Sequence, residues 1–192
     1  MRIGIDLDNT LADYSAPLLR LCALHGVDPG GDPKLALREH LRGAGRENEW
    51  TRLQGEIYGP LMTEALLFPG AADFFRRSLA AGSECLIVSH RTRQPILGEG
   101  HDLHSSARHW LRAVELANVP VHLEESKSAK VGRIRSLGVN CFIDDLPELL
   151  SDSAFPEGVR RILFDPGNQH ADSPAWRRCS SWHSVANELF ES

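Results

Sequence analysis

Ile5-Asp6-Leu7-Asp8-Asn9-Thr10-Leu11 closes an apolar run, Ile3–Leu7, with two acids at a spacing of two. A short apolar run of this length reads as a buried strand. In an open parallel sheet the C-terminal strand ends form the ligand crevice. Residues two apart can share a direction as a strand ends, so the two carboxylates can divide the work of one reaction. One can attack an electrophile or hold a metal, and the other can carry a proton. The competing explanation is a turn after an edge strand, where Asp and Asn are common.

The rest of the chain repeats this rhythm. Further apolar runs occur at Cys85–Val88, Val119–Leu123, Cys141–Ile143 and Arg161–Phe164. Helical spacing is found over Ala71–Ala81, Ser105–Asn118 and Lys127–Leu137, the first and last followed by Gly82 and Gly138, which suit helix C-caps. Alternating strands and helices predict an α/β fold with a parallel sheet covered on both faces. One stretch departs from the pattern. Ser15–His25, Lys34–Leu41 and Glu47–Tyr58 read as helices with no strand among them, and Val27–Pro33 is a Gly/Pro/Asp-rich loop. Such a run is too long for a simple crossover. It is read as a small helical cap, residues 15–66, inserted into a core made of residues 1–14 and 67–192.

Composition sets the outer bounds. The chain has 192 residues, 42% hydrophobic and 24% charged, which suits one core with an inserted subdomain. Its 21 Lys and Arg against 26 Asp and Glu argue against binding nucleic acid polymers, which needs a basic face. No apolar run approaches the roughly 18–20 residues of a membrane span. The opening Met1-Arg2-Ile3-Gly4-Ile5-Asp6 reaches an acid too early for a signal peptide, so a cytoplasmic location is expected. Cys22, Cys85, Cys141 and Cys179 are far apart, with no C-x-x-C pair, and are expected to be reduced thiols.

Three further features carry chemistry. Leu86-Ile87-Val88-Ser89 is a strand ending in a hydroxyl. Ser126 reads as an N-cap just before Lys127, and a helix start beside an ammonium can hold an anion. Lys130 competes with Lys127; they precede Asp144 by 14 and 17 residues, and the helix-start position favours Lys127. Asn140-Cys141-Phe142-Ile143-Asp144-Asp145 is another apolar run ending in paired acids. Hard cations such as Mg²⁺ take one or two carboxylates with water and phosphate oxygens.

Taken in order, Asp-x-Asp-x-Thr, then Ser89, then a lysine, then Asp144-Asp145 resemble the four motifs of the haloacid dehalogenase-like (HAD) superfamily, over Ile3 to about Leu150. The resemblance implies a Rossmann-like three-layer α/β/α core with five parallel strands and a cap between the first two motifs. It implies a Mg²⁺-dependent phosphatase for a small phosphomonoester, a nucleotide or sugar phosphate. Asp6 would be the nucleophile that forms an aspartyl-phosphate, and Asp8 the general acid/base. Asp6, the backbone carbonyl of Asp8, Asp144 and Asp145 would hold Mg²⁺. Ser89 and Lys127 would bind phosphoryl oxygens, with Thr10 supporting the loop. Apart from the resemblance, His90 and Arg91 directly follow Ser89 at the crevice rim, a place that suits contact with the leaving group and equally suits solvated loop residues. A phosphotransferase or phosphomutase with the same nucleophile, or a non-catalytic phosphate-binding module, fits the same residues.

Weaker candidates have plainer explanations. His101, His104 and His109 lack the partner acids or cysteines of a structural zinc site and suit helix capping. Trp50, Leu53, Ile57 and Tyr58 form a stripe better explained by packing than by substrate contact.

Overall fold

The computed structural model of the chain describes residues 1–191. Eight strands form: β1 (Arg2–Ile5), β2 (Ala12–Asp13), β3 (Leu66–Leu67), β4 (Glu84–His90), β5 (Val121–Glu124), β6 (Cys141–Asp144), β7 (Arg160–Phe164) and β8 (Arg177–Cys179). The helices are α1 (Ser15–His25), α2 (Pro33–Gly43), α3 (Glu47–Tyr58), α4 (Ala71–Ala80), α5 (Leu103–Ala113), α6 (Lys127–Ser136), α7 (Pro147–Leu150) and α8 (Trp182–Phe190). A 3₁₀ turn covers Pro60–Glu64.

Contacts divide the chain into two units. One holds Met1–Ala12, Leu67–His90 and the chain from Asn118 onward; the other holds Asp13–Leu66 and Arg91–Ala117.

The first unit is an α/β/α sandwich around a six-stranded sheet in the order β5-β4-β1-β6-β7-β8. Every neighbouring pair is parallel. The period of two along a strand sends alternate side chains to opposite faces. Leu86, Val88, Phe142 and Leu163 join Val131 and Ile134 of α6 and Leu149 and Leu150 of α7 in one cluster. On the other face, Phe164 stacks on Trp182 of α8 at 5.4 Å, and Trp182 meets Phe74 of α4 at 4.8 Å. The sheet has one strand more than the five expected. The extra strand, Arg177-Arg178-Cys179, pairs with β7; it is three residues long and two of them are arginines, so it carries no apolar run.

Gly4 lies at the centre of β1, opposite Phe142 of β6. A Cβ there would come within 2.5 Å of the Phe142 ring, which is fully buried. Gly4→Ala is therefore expected to lower stability by about 1–3 kcal/mol through overpacking, read as a lower urea midpoint at unchanged slope.

The second unit is helical. The sequence puts residues 15–66 in a cap; residues 91–117 join that helical unit here. Trp110 of α5 donates its indole N–H to the Ala65 carbonyl at 2.8 Å. Arg91 is 4% exposed. It donates to the Tyr58 carbonyl at 2.8 Å, the Leu103 carbonyl at 3.2 Å and the Tyr14 hydroxyl at 3.0 Å. Trp50 and Ile57 are buried, as packing explains. α5 stops short of the expected Asn118, because Glu115 takes a left-handed conformation with φ 63°.

All four cysteines are free. Among the described residues no helix is long and apolar enough to cross a membrane.

Candidate active site

β1 ends at Ile5, but its hydrogen bonding continues one residue further: the Asp6 N–H donates to the Ile143 carbonyl at 2.9 Å. Asp6 is therefore held in register beside the end of β6. The chain then turns sharply. Leu11 and Ala12 both donate to the Leu7 carbonyl, Asn9 donates to the Ala12 carbonyl, and Asn9 has φ 59°, a left-handed conformation that Asn tolerates better than most residues. Trp182 locks the turn from outside by donating its indole N–H to the Thr10 carbonyl at 3.1 Å.

Asp144 ends β6, with Asp145 in the turn that follows. The Asp144 carboxylate accepts the Leu146 N–H at 2.9 Å, and the Thr10 hydroxyl donates to Asp145 at 3.3 Å. Between these acids lies Lys130. Its Nζ donates to Asp6 Oδ1 at 2.6 Å and to Asp144 Oδ2 at 2.5 Å. It also sits 5.4 Å from the centre of the Phe142 ring.

The lysine preferred from sequence, Lys127, is not the one brought to the acids. Ser126 caps α6 as expected, accepting the Ala129 N–H at 3.1 Å. Lys127, in the first position of the helix, is exposed and paired with Glu148 at 2.9 Å. Lys130 shares the buried side of α6 with Val131 and Ile134. Three- and four-residue steps keep side chains on one face, and here that face is the one against the sheet.

The electrostatics follow from burial. Asp6, Lys130 and Asp144 are 4%, 1% and 0% exposed. Burial raises the Asp6 carboxyl above the ordinary carboxylate range; Lys130 opposes this, while the charges of Asp144 and Asp8 add to it. Burial also works against the charge on Lys130, but Asp144 and Asp6 outweigh it and hold the ammonium well above an ordinary lysine. Two acids to one base leave the cluster short of positive charge.

The cluster offers a means of supplying that charge. Asp6, Asp144 and Asp145 each present one carboxylate oxygen, all within 4.8 Å of one another. Among the described residues this is the one group of His, Cys, Asp or Glu side chains close enough to share an ion. An all-oxygen, carboxylate donor set suits Mg²⁺ rather than a softer metal. The histidines His101, His104 and His109 form no such group; His104 instead sits 2.7 Å from the Arg91 carbonyl through Nε2.

The other expected residues are placed as follows. Asp8 is half-buried in the turn after β1, close enough for its charge to act on Asp6. Ser89 is buried in β4, the strand beside β1. His90, the last residue of β4, is half-buried. Burial, Lys130 and Lys127 hold its imidazole below the ordinary value, against the opposing charge of Asp8. Arg91 lies in the helical unit, in the network described above.

One buried acid at the same sheet edge has only a weak signature in the sequence. Asp165 follows β7 and is 4% exposed. The signal was present, since Arg161–Phe164 also runs straight into an acid, but Asp165-Pro166-Gly167 reads as a plain turn.

No family model and no curated protein matches this sequence. Solved structures do match its fold. YfnB, a HAD-hydrolase from Bacillus subtilis bound to magnesium, aligns with a TM-score of 0.59 at 15% identity, covering 100% of this chain and 98% of that one. A HAD phosphatase from Thermococcus onnurineus aligns at 0.58 and 15% identity, covering 98% and 97%. CbbY from Rhodobacter sphaeroides, in complex with phosphate, aligns at 0.53 and 17% identity, covering 96% and 95%. The chain thus has the fold of HAD-superfamily hydrolases along its whole described length.

Proposed function

We propose that this protein is a Mg²⁺-dependent phosphatase acting on a small phosphomonoester through an aspartyl-phosphate on Asp6. The observation that carries the reading is the buried contact of Lys130 with both Asp6 and Asp144. It puts a fixed positive charge against the carboxylate that would attack and against a carboxylate that would hold the metal. That the fold is shared with a phosphate-bound CbbY and a magnesium-bound YfnB supports the reaction class.

The proposed roles follow from placement. Asp6 sits at the end of a central strand, held by its N–H, so its carboxylate has a fixed direction of attack. A phosphate dianion approaching it meets like charge, which must be offset. Lys130 offsets part of it by donating to phosphoryl oxygens, with the buried Ser89 hydroxyl at the end of the neighbouring strand. Asp8, less buried than Asp6, carries the proton to the leaving oxygen and later takes one from water. Thr10 holds Asp145, and Trp182 holds the Thr10 carbonyl, so the acid turn does not have to reorganise. Asp6, Asp144 and Asp145, with the Asp8 carbonyl, are the groups that would hold Mg²⁺. When bound, the ion supplies charge neutralisation at the phosphoryl oxygens. His90, directly after the phosphate-binding Ser89 in β4, is assigned to the leaving group.

The test is phosphate release from a panel of nucleotides, sugar phosphates and other small phosphomonoesters. Release is expected with Mg²⁺, to vanish with EDTA, and to return on adding excess Mg²⁺. Undiminished release in EDTA would overturn the metal assignment. No release from any compound, with no phosphate trapped on Asp6, would overturn the reaction.

A further inference from the structure

The turn after β1 is held at two adjacent carbonyls. The Thr10 carbonyl accepts the indole N–H of Trp182 at 3.1 Å, and the Leu11 carbonyl accepts the Phe68 N–H at 2.9 Å. Both donors belong to aromatic residues grouped around Phe164, the last residue of β7. The Phe164 ring meets Phe68 at 5.0 Å and Trp182 at 5.4 Å, and Trp182 also meets Phe74 at 4.8 Å.

Local sequence places the indole. Ser181-Trp182-His183-Ser184 opens α8 with a capping box. The Ser181 hydroxyl accepts the Ser184 N–H at 3.1 Å, and the Ser184 hydroxyl accepts the Ser181 N–H at 3.1 Å. Trp182 is therefore the first residue of the helix, and its side chain is fully buried. Gly70, at φ 86°, admits a close approach: a Cβ there would lie 3.3 Å from the Trp182 Cβ. An indole packed by two rings keeps its N–H in one direction.

Thr10 joins this aromatic group to the acid cluster. Its carbonyl takes the Trp182 N–H, while its hydroxyl donates to Asp145 Oδ1 at 3.3 Å. Two hydrogen bonds through one buried residue thus run from α8 to a carboxylate of the cluster. The hydroxyl bond is longer than most O–H···O bonds, so it depends on the Thr10 backbone being held in place.

We propose that Trp182 is a positioning residue for the cation site: by holding the Thr10 carbonyl it keeps the Thr10 hydroxyl on Asp145, and so sets the affinity of Asp6, Asp144 and Asp145 for a divalent cation. The inference rests on the reading of these three acids as the Mg²⁺ site. Removing a group that orients a metal ligand typically changes affinity by about 10–100-fold. Trp182 acts through Thr10 and takes no part in the chemical step.

Calorimetric titration of Mg²⁺ into the wild-type protein, Trp182→Phe, Thr10→Val and the double variant tests this. Phe keeps an aromatic ring against Phe74 and Phe164 but has no N–H. Val keeps the shape of Thr10 and its carbonyl but has no hydroxyl. The Kd for Mg²⁺ is expected to rise about tenfold in each single variant. The double variant is expected to show about the same tenfold rise, because both substitutions break one chain of bonds. Phe74→Leu loosens the same aromatic packing but leaves the indole N–H. It is expected to lower the melting temperature with the Kd within about twofold of wild type. An unchanged Kd in Trp182→Phe, or an equal rise in Phe74→Leu, would reduce Trp182 to a packing residue and overturn the proposal. A rise of about a hundredfold in the double variant would mean two independent effects and overturn the route through Thr10. Should Trp182→Phe fail to fold, Thr10→Val still decides, since an unchanged Kd there removes the link between indole and cluster. A wild-type protein that binds no Mg²⁺ would overturn the metal reading itself, and with it this proposal; wild-type binding with an unchanged variant Kd would overturn only the role of Trp182.

Discussion

Asp6→Asn is expected to abolish phosphate release while leaving the protein at least as stable as wild type. The loss should be on the order of 10⁴-fold or more in kcat, because an amide cannot form the covalent intermediate. The stability half of the prediction follows from the cluster's charge count. Asp6 and Asp144 bury two negative charges against the one ammonium of Lys130. Removing one of the two leaves a balanced pair, and the amide oxygen can still accept from Lys130. The substitution also relieves the desolvation and the repulsion from Asp144 and Asp8 that raise the Asp6 carboxyl. Thermal unfolding in EDTA should therefore show no fall in melting temperature. Mg²⁺ should stabilise the variant less than wild type, since one ligand is weakened. A variant that is inactive because it is unfolded would leave the nucleophile unassigned; a folded variant with near-wild-type release would exclude Asp6 from the covalent step.

The parts of this molecule that were legible in its sequence are those where an apolar run meets a polar residue. Asp6 and Asp144 each end such a run, and the parallel sheet then sets those ends side by side, with Ile5 opposite Ile143. Ser89 follows the same rule in β4. The lysine was harder. A helix start and a helix face are different signals, and Lys127 satisfies the first while Lys130 satisfies the second. Val131, Ile134 and Leu137 recur at helical spacing, which marks the inward face of α6. Lys130 adjoins that stripe, but a buried lysine is rare enough without partners that the pattern alone does not place it inside. The partners come from strands more than a hundred residues and fourteen residues away in sequence. β8 was illegible for the opposite reason: Arg177-Arg178-Cys179 carries no apolar run, and the strand exists because β7 offers it a neighbour. The membership of α5 in the helical unit is likewise a tertiary fact, visible only once Trp110 is seen to bond the Ala65 carbonyl.

The same contrast between the two lysines yields the second large effect. Lys130→Met fills similar space but leaves Asp6 and Asp144 buried beside each other with no ammonium between them. Breaking a buried pair by removing one partner costs about 3–5 kcal/mol, a fall on the order of 10 °C in melting temperature for a chain of this size. Lys127→Met removes a charge from an ion pair whose side chains are 47% and 58% exposed; solvent screens such pairs, so the expected cost is below about 1 kcal/mol. Mg²⁺ separates this electrostatic account from a simple packing defect. With Lys130 gone, the ion no longer competes with an ammonium for Asp6 and Asp144, so it should raise the melting temperature of Lys130→Met by more than that of wild type. Activity should stay low, by about 10²–10³-fold, even at saturating Mg²⁺, because the phosphoryl oxygens still lack their preorganised donor. Lys130→Met with wild-type turnover, or Lys127→Met with the larger loss, would return the phosphate-binding role to the start of α6.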